Sequence, residues 1–458
     1  MTAHADPAAT DLGTLTSVDS PLGAFAAVAA DGVVRVRNIR YARADRFAPP
    51  VPVAPEASES ADLQFRRITC PQPPSGSDGL LGDPLRGTDA DEDCLRLSLT
   101  RPADVGAGDD LPVLVWVHGG SHVSGAGDLG GYDPATLVRE QRVVVVTITY
   151  RLGVLGFLGD PAASPPRAAN LGLLDLIVAL RWVREHIGAF GGDPSLVTVF
   201  GQSSGGDAIA HVLAADGADG LVDRVILQST PFGIRGGRAA LQQRMRRAVG
   251  DLAADAPLDD VFAAQARARA AANGSGLRAG MAFSPEYGIA PLPPEADVEA
   301  RWRERAPGLD VLVCWTSEEA SFFVEVSPAL RRLAARRGSR SLMRALVRTV
   351  TDRVYRTGGR RFADLLAASG ARVQVAEFDG RPEGSTIGAA HAIDVALLFA
   401  NESAWADTPL LAPDGAAALV TAGAPLRAAW AEFARTGRIA EPTVPLGPGW
   451  TGGLRRVG

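Results

Sequence analysis

Ser203 is the side chain whose surroundings most favour chemistry. It stands in Gly201-Gln-Ser-Ser-Gly205, after the β-branched and aromatic run 195–200 and before apolar residues at helical spacing in 207–214. A serine at a sharp strand-to-helix turn exposes its hydroxyl, and the two glycines leave the space that such a turn needs. The five-residue pattern by itself also occurs in ordinary loops. The strand and helix on either side favour a nucleophilic serine.

The turn His118-Gly-Gly-Ser-His122 directly follows the apolar run 111–117. Ligands of α/β folds bind at the carboxyl ends of strands, so the backbone N–H groups of this turn could face a ligand. A serine that attacks a carbonyl group needs such donors for the developing oxyanion, and each donor is worth roughly a hundredfold to a thousandfold in rate. A plain tight turn is the alternative. The order of the turn and the serine along the chain favours the oxyanion interpretation.

Strand patterns that alternate with helix patterns position these residues and predict an α/β layered fold. The runs 111–117 and 143–149 are almost entirely apolar, which is typical of central strands covered by helices on both faces, so the sheet is expected to be mostly parallel. Further strands are predicted at 24–30, 33–39, 94–100, 196–200, 224–229, 310–315 and 372–378, with the first two forming a hairpin at the edge of the sheet. An amphipathic helix is predicted at 171–187.

The Ala- and Arg-rich segments 236–272 and 328–369 do not match sheet strands. We predict helices there, some of them forming a cap over the strand ends that shapes the substrate pocket. Their arginine faces are predicted to be solvated surface, with a role in binding an anionic substrate as the alternative.

Composition excludes several classes of function. The 458 residues carry a net charge of −6, and all 46 basic residues are arginines, so no lysine can form a Schiff base or act as a nucleophile. No basic cluster lies on one predicted face, which argues against nucleic acid as a partner. No apolar stretch approaches the roughly 20 residues of a membrane span. The three cysteines lack zinc spacing, so no metal is expected. The polar N-terminus, which lacks the features of a secretory signal, predicts a cytoplasmic protein.

The chain also resembles the type-B carboxylesterase family, which includes cholinesterases and para-nitrobenzyl esterases and has the α/β-hydrolase fold. The segments that carry the resemblance are 92–95, 115–120, 147–157, 170–175, 189–194 and 226–229. The family implies a mostly parallel central sheet flanked by helices, with helical cap insertions. We therefore expect a disordered tail at 1–12 and one domain at 13–458, with cap segments near 236–305 and 324–370.

The resemblance also implies the partners of Ser203. The stretch 317–323 matches the segment that carries the acid of the family, which places Glu319 at that position and leaves the neighbouring Glu318 as the alternative. The stretch 388–394 corresponds to the segment with the family's histidine, so His391 is the candidate base. Gly120, Ser121 and Ser204 are the implied oxyanion donors. Such a constellation hydrolyses small-molecule carboxylic esters through an acyl-enzyme and needs no cofactor.

Several residues depart from the family pattern. Ser121 and His122 replace Gly and Phe, so the turn is strained or shifted, or it keeps an allowed conformation with the amide pointing inward. We expect a working oxyanion hole, with both side chains lining the pocket. Gln202, a second pocket candidate, replaces a glutamate that lies near cationic substrates in cholinesterases, which disfavours choline esters. Cys70 and Cys94 occupy positions that form a disulfide in family members, although a reducing cytoplasm opposes that bond.

Two alternatives stay open at this point. The same triad could hydrolyse amides, carbamates or lactones, or the chain could be a non-catalytic binding protein of the cholinesterase type. The natural substrate and the oligomeric state are not predicted from the sequence.

Overall fold

A twelve-stranded mixed sheet runs through the protein. The computed structural model describes residues 13–457 except 56–60, 75, 77, 164 and 165, so the predicted tail at 1–12 lies outside the described residues. In chain order the strands are β1 (Thr14–Ser20), β2 (Gly23–Ala30), β3 (Val33–Arg40), β4 (Arg96–Pro102), β5 (Leu111–Val117), β6 (Val144–Ile148), β7 (Gly192–Gln202), β8 (Arg224–Gln228), β9 (Asp310–Thr316), β10 (Arg372–Phe378), β11 (Thr443–Pro445) and β12 (Gly453–Arg456). Their order across the sheet is β1-β2-β3-β4-β6-β5-β7-β8-β9-β10-β12-β11.

The six central strands, β6-β5-β7-β8-β9-β10 in their order across the sheet, are parallel to one another. Both margins are antiparallel, with β1 to β4 on one side and β11 and β12 on the other. The predicted parallel character therefore holds for the centre of the sheet and not for its margins.

The hairpin predicted at the sheet edge lies one strand further in. Strands β2 and β3 form that hairpin, but β1 pairs with β2 along its whole length and is the edge strand. The polar sequence of β1 buries only Val18, so it lacks the alternation of apolar and polar residues that marks a strand.

Helices cover both faces of the sheet. The longer ones are α1 (Ala135–Gln141), α2 (Leu171–His186), α3 (Ser204–Val212), α4 (Ala239–Val249), α5 (Leu258–Ala271), α6 (Val298–Arg305), α7 (Glu319–Val326), α8 (Pro328–Ala334), α9 (Arg340–Thr351), α10 (Thr357–Ala367), α11 (Ile393–Phe399) and α12 (Leu419–Thr436). Within the part of the chain that the structure describes, no helix combines the length and the apolar character that crossing a bilayer requires.

The central strands are buried on both faces, which explains their almost unbroken apolar sequences. In β5, Val113 and Val115 belong to the hydrophobic cluster on one face of the sheet, whereas Leu114 and Trp116 belong to the cluster on the other. Successive side chains of a strand point to opposite faces, so a strand between two helical layers needs apolar residues at every position.

The two segments predicted as a cap are helical. The first holds α4, α5 and α6, and the second holds α8, α9 and α10, with a π-helical turn at Asp352–Arg356 between the last two. The Arg-rich patterns therefore form helices as expected.

The residues singled out by the sequence follow parallel strands at one edge of the sheet. The turn 118–122 follows β5, Ser203 follows β7 and Glu319 follows β9. Because the carboxyl ends of parallel strands meet at the same edge, the fold brings these three segments together.

Candidate active site

Ser203 occupies a strained turn between β7 and α3. Its backbone has φ 58° and ψ −125°, and its N–H donates to the carbonyl of Gln228 at 2.9 Å. A Cβ at Gly205 would lie 2.1 Å from the carbonyl oxygen of Val117, and one at Gly201 would lie 2.8 Å from the same oxygen. A positive φ at a non-glycine residue costs of order 1–3 kcal/mol and needs support from its surroundings. The sequence pattern therefore forms the sharp turn that was predicted from it.

His391 and Glu319 are joined by a short hydrogen bond. Nδ1 of His391 lies 2.5 Å from Oε2 of Glu319, and the Glu319 side chain is fully buried. The other carboxylate oxygen of Glu319 accepts from the N–H of Thr316 at 2.8 Å. Glu318 contacts backbone instead, since its Oε2 accepts from the N–H of Ala389 at 3.1 Å. The structure thus places Glu319, and not its neighbour, against the imidazole.

The second nitrogen of His391 contacts Gln202. Nε2 of His391 is 3.1 Å from Nε2 of Gln202. Since Nδ1 donates to Glu319, the bonding network assigns the proton to Nδ1, and Nε2 accepts from the Gln202 amide. Among the described residues no hydrogen bond joins Ser203 to His391 in this conformation. The structure therefore brings the histidine to the residue directly before the serine.

The glycine turn presents free amide groups. No residue that the structure describes accepts a hydrogen bond from the backbone N–H of Gly120, Ser121 or Ser204. The turn is closed by the N–H groups of Val123 and Ser124, which donate to the carbonyl of Gly120 at 3.0 and 3.1 Å. Gly120 has φ 113° and Ser121 has φ 57°, so the turn has the strained backbone that was one of the alternatives for Ser121.

His122 does not line a pocket, contrary to the prediction. Its side chain is fully buried, its ring centroid lies 4.3 Å from that of Phe157, and its Nε2 lies 3.1 Å from Oδ2 of Asp207. The backbone of His122 has φ 58°, and the side chain packs against α3 below the turn. The pairing of His122 with Asp207 had no signal in the sequence, because neither residue belongs to a motif that predicts contact.

The remaining candidate residues, His118, Cys70 and Cys94, are buried in the fold. Burial lowers the pKa of His118 to about 4, and its Nδ1 lies 2.8 Å from the carbonyl oxygen of Gly119. Cys70 and Cys94 are both buried and free, so the disulfide implied by the resemblance is not formed in this structure. The neighbouring Cys70 side chain, together with burial, raises the pKa of the Cys94 thiol. Across the described residues, no three His, Cys, Asp or Glu side chains are grouped so that they could hold a metal ion.

Three aromatic rings surround the imidazole of His391. The ring centroids of Phe322, Phe323 and Tyr355 lie 5.8, 5.5 and 5.3 Å from that of the histidine. Tyr355 comes from the π-helical turn between α9 and α10, and burial raises the pKa of its hydroxyl well above the ordinary value. Tyr355 was not predicted from the sequence, because no local pattern connects it with a histidine 36 residues away along the chain.

A buried carboxyl group lies near the Glu319–His391 pair. Oδ2 of Asp394 accepts from the Gln228 side chain at 2.7 Å. Burial raises the pKa of Asp394 to about 6, and the neighbouring Glu319 carboxylate acts in the same direction. A second ionised carboxylate beside Glu319 is therefore disfavoured below about pH 6.

Comparisons with known proteins identify the family of this chain. The profile of the carboxylesterase family matches residues 26–332. The probable N-octanoylanthranilate hydrolase AqdA2 of Rhodococcus erythropolis is 36% identical over 442 residues, which cover 94% of this chain and 95% of that protein. The para-nitrobenzyl esterase of Bacillus subtilis is 42% identical over 204 residues, which cover 43% of this chain and 40% of the esterase.

A solved structure of a thermophilic PNB esterase superposes with a TM-score of 0.76 at 28% identity and covers 96% of this chain and 94% of its own. This likeness confirms the α/β-hydrolase fold. The chain belongs to the carboxylesterase family, and it is a serine carboxylesterase, a carboxylic ester hydrolase.

Proposed function

We propose that Ser203, His391 and Glu319 form the catalytic triad of this esterase, with the amides of Gly120, Ser121 and Ser204 as its oxyanion hole. The observation that carries the proposal is the 2.5 Å bond between Glu319 and His391, with the same imidazole contacting the residue before the strained serine. Three unpaired backbone N–H groups from two neighbouring segments of the described chain support it.

The chemistry follows from this arrangement. His391 releases Gln202, turns its Nε2 lone pair to the Ser203 hydroxyl and takes its proton while the oxygen attacks the ester carbonyl. Glu319 holds the proton on Nδ1 and stabilises the imidazolium ion. The backbone N–H groups stabilise the oxyanion, and His391 then protonates the leaving alcohol. A water activated by the same histidine releases the acid from the acyl-enzyme.

The substrate is proposed to be a small ester with an apolar or aromatic group beside the imidazole. Phe322, Phe323 and Tyr355 supply an aromatic wall around His391, and rings of a substrate pack well against such side chains. Gln202 adds no negative charge, which disfavours cationic alcohols such as choline. A cytoplasmic location and the lack of a nucleic-acid partner stay predictions.

Hydrolysis of an N-acyl bond is the second candidate. The relative from Rhodococcus that spans 94% of this chain is named for the hydrolysis of an N-octanoyl compound. The same acyl-enzyme chemistry would serve if His391 protonates an amine instead of an alcohol.

Steady-state and burst kinetics test the proposal. We expect the purified protein to hydrolyse p-nitrophenyl butyrate with a burst of about one p-nitrophenol per active site, and Ser203→Ala to lose activity by at least about a thousandfold. Parallel assays with p-nitrophenyl octanoate and N-octanoylanthranilate separate the two candidates. Ser203→Ala with activity equal to that of the parent would overturn the assignment of the nucleophile.

A further inference from the structure

A second histidine–carboxylate pair lies behind the turn that carries the proposed oxyanion donors. Nε2 of His122 is 3.1 Å from Oδ2 of Asp207, and both side chains are fully buried. Neither side chain takes part in the proposed catalytic steps. Removing two polar or charged groups from water costs free energy, so a fully buried pair at this place indicates a structural or functional role.

The pair connects two segments of the site. The backbone N–H of His122 donates to Oγ of Ser204 at 3.2 Å, and its carbonyl accepts from Gly153 at 2.6 Å. Asp207 lies in the first turn of α3, and its N–H donates to the carbonyl of Ser203 at 3.0 Å. The His122–Asp207 bond therefore ties the turn of Gly120 and Ser121 to the helix that directly follows the nucleophile and begins with the third donor.

A second histidine, His211, also contacts Asp207. Nδ1 of His211 lies 2.7 Å from the carbonyl oxygen of Asp207 and 3.5 Å from its Oδ2, while Nε2 of His211 accepts from Tyr287 at 2.8 Å. Burial raises the pKa of Asp207, but His211 and His122 outweigh that effect, so the net pKa of this carboxyl lies below its ordinary value.

The bonding network also defines the state of His122. An ionised Asp207 accepts from Nε2–H of the ring, and Nδ1 has no hydrogen-bond partner among the described residues. A neutral imidazole with its proton on Nε2 satisfies this geometry, whereas a protonated ring would bury an N–H without an acceptor.

The backbone of the turn needs such support. Gly120, Ser121 and His122 have φ of 113°, 57° and 58°, and two of the three are not glycine. Side chains disfavour this region, so a turn with consecutive positive φ values persists only where surrounding contacts fix it. In the family pattern a glycine and a phenylalanine stand at 121 and 122, so this chain has a less permissive residue and a hydrogen-bonding ring in their place.

We propose that the His122–Asp207 bond positions the oxyanion hole by clamping the strained turn onto α3, so that the amides of Gly120, Ser121 and Ser204 converge in front of Ser203. The inference rests on the proposed function. His122 and Asp207 are positioning residues in this scheme, because they touch the donors' own segments and not the substrate.

Kinetics of His122 variants test the clamp. His122→Phe keeps an aromatic ring but loses the bond, and we expect kcat for p-nitrophenyl butyrate to fall about tenfold or more with KM changed less than twofold. His122→Gln retains an N–H donor to Asp207, and we expect it to recover kcat to within about threefold of the parent. Inhibition by a trifluoromethyl ketone, which forms an oxyanion on the serine, should weaken in His122→Phe by the same factor as kcat/KM.

Asp310→Asn is the matched control. Asp310 is a buried carboxylate at the opposite edge of the sheet, bonded to Arg224 and Arg372, so its loss lowers stability without reaching the turn. The kcat of this control should stay within about twofold of the parent.

The proposed role of the His122–Asp207 bond is overturned if folded His122→Phe keeps the parent's kcat and ketone affinity, or if His122→Gln is as impaired as His122→Phe. If His122→Phe does not fold, Asp207→Asn is the deciding variant. Its side-chain oxygen still accepts from His122, so a tenfold loss of kcat there overturns the clamp.

The outcome for the clamp is distinct from that for the proposed function. If the Ser203→Ala variant keeps the activity of the parent, the proposed triad is refuted. A parent whose activity depends on Ser203 but not on the His122 bond refutes only the positioning role.

Discussion

The side-chain amide of Gln202 lies 3.1 Å from Nε2 of His391, the nitrogen that accepts the proton of Ser203 in the proposed mechanism. The amide therefore competes with the serine hydroxyl for one lone pair. Gln202 is almost fully buried, so water does not readily replace it. In the proposed mechanism, the first step therefore exchanges this bond for one between His391 and Ser203.

We expect Gln202→Glu to reduce activity most at low pH. A carboxylate at this distance favours the protonated imidazole, which cannot accept a proton from Ser203. The ratio of kcat/KM to that of the parent should be about 0.1 at about pH 6 and near 1 at about pH 9. Gln202→Met, which has similar length and no charge, should follow the parent's pH profile. Superimposable profiles for the Glu variant and the parent would show that this contact does not govern the histidine.

The two adjacent glutamates should differ sharply on substitution. Glu319→Gln keeps the size of the side chain but removes the charge that orients His391, so we expect kcat to fall by about a thousandfold to ten-thousandfold. Glu318→Gln should keep kcat within about fivefold, since Glu318 contacts the backbone of Ala389 and not the imidazole. The measurement is kcat on a p-nitrophenyl ester, with circular dichroism to verify folding. Equal losses in both variants would mean that the two glutamates only stabilise the structure of their loop, and that the charge of Glu319 does not orient His391.

The sequence predicts the centre of this fold better than its margins. Strand β5 and its parallel neighbours are buried on both faces of the sheet. Continuous apolar runs such as Val113–Val117 predict such burial from the sequence. Strand β1 is stabilised by backbone pairing to β2 while its side chains stay largely exposed. Backbone pairing leaves no trace in side-chain type, so this edge strand was missed.

A similar division holds at the site. The strand-to-helix pattern predicts Ser203, and the family resemblance predicts Glu319 and His391. The structure brings the last two into contact. The bonds of Gln202 to His391 and of His122 to Asp207 join residues 189 and 85 positions apart. Such contacts depend on rotamers and on the packing of separate segments, which periodicity and spacing do not encode. This is why His122 was wrongly predicted to line the pocket.

Asp394 should make stability depend on pH. Burial raises its pKa from an ordinary value near 3.8 to about 6, so between these values the folded protein binds more protons than the unfolded chain. Stability therefore falls as pH rises from about 4 to 6, by at most about 3 kcal/mol for this group, and stays at the lower level above that range.

Asp394→Asn removes this penalty, because an amide carries no charge and its oxygen can still accept from Gln228. We expect the free energy of unfolding of the variant, relative to the parent, to rise between about pH 4 and pH 6 and then to level off. Urea denaturation at several pH values measures it. A difference that does not change with pH would contradict the raised pKa of Asp394.

Ser121→Gly should stabilise the protein. Ser121 has φ 57°, a conformation that costs about 1–2 kcal/mol for a residue with a side chain and nothing for glycine. Glycine adds about 0.5–1 kcal/mol of conformational entropy to the unfolded chain, so the net gain in the free energy of unfolding should be about 0.5–1 kcal/mol. Ser195→Gly is the matched control. It makes the same chemical change in strand β7 at a residue without positive φ, and it should destabilise by about 0.5–1 kcal/mol.

The activity of Ser121→Gly separates the backbone of this residue from its side chain. The N–H donor is retained, so kcat on p-nitrophenyl butyrate should stay within about threefold of the parent. The Ser121 side chain is partly exposed at the turn, and its loss should shift preference toward purely apolar acyl groups, which a series of p-nitrophenyl esters with lengthening chains would reveal. An unchanged acyl preference would remove Ser121 from the residues that select the substrate and leave only its proposed role as an oxyanion donor.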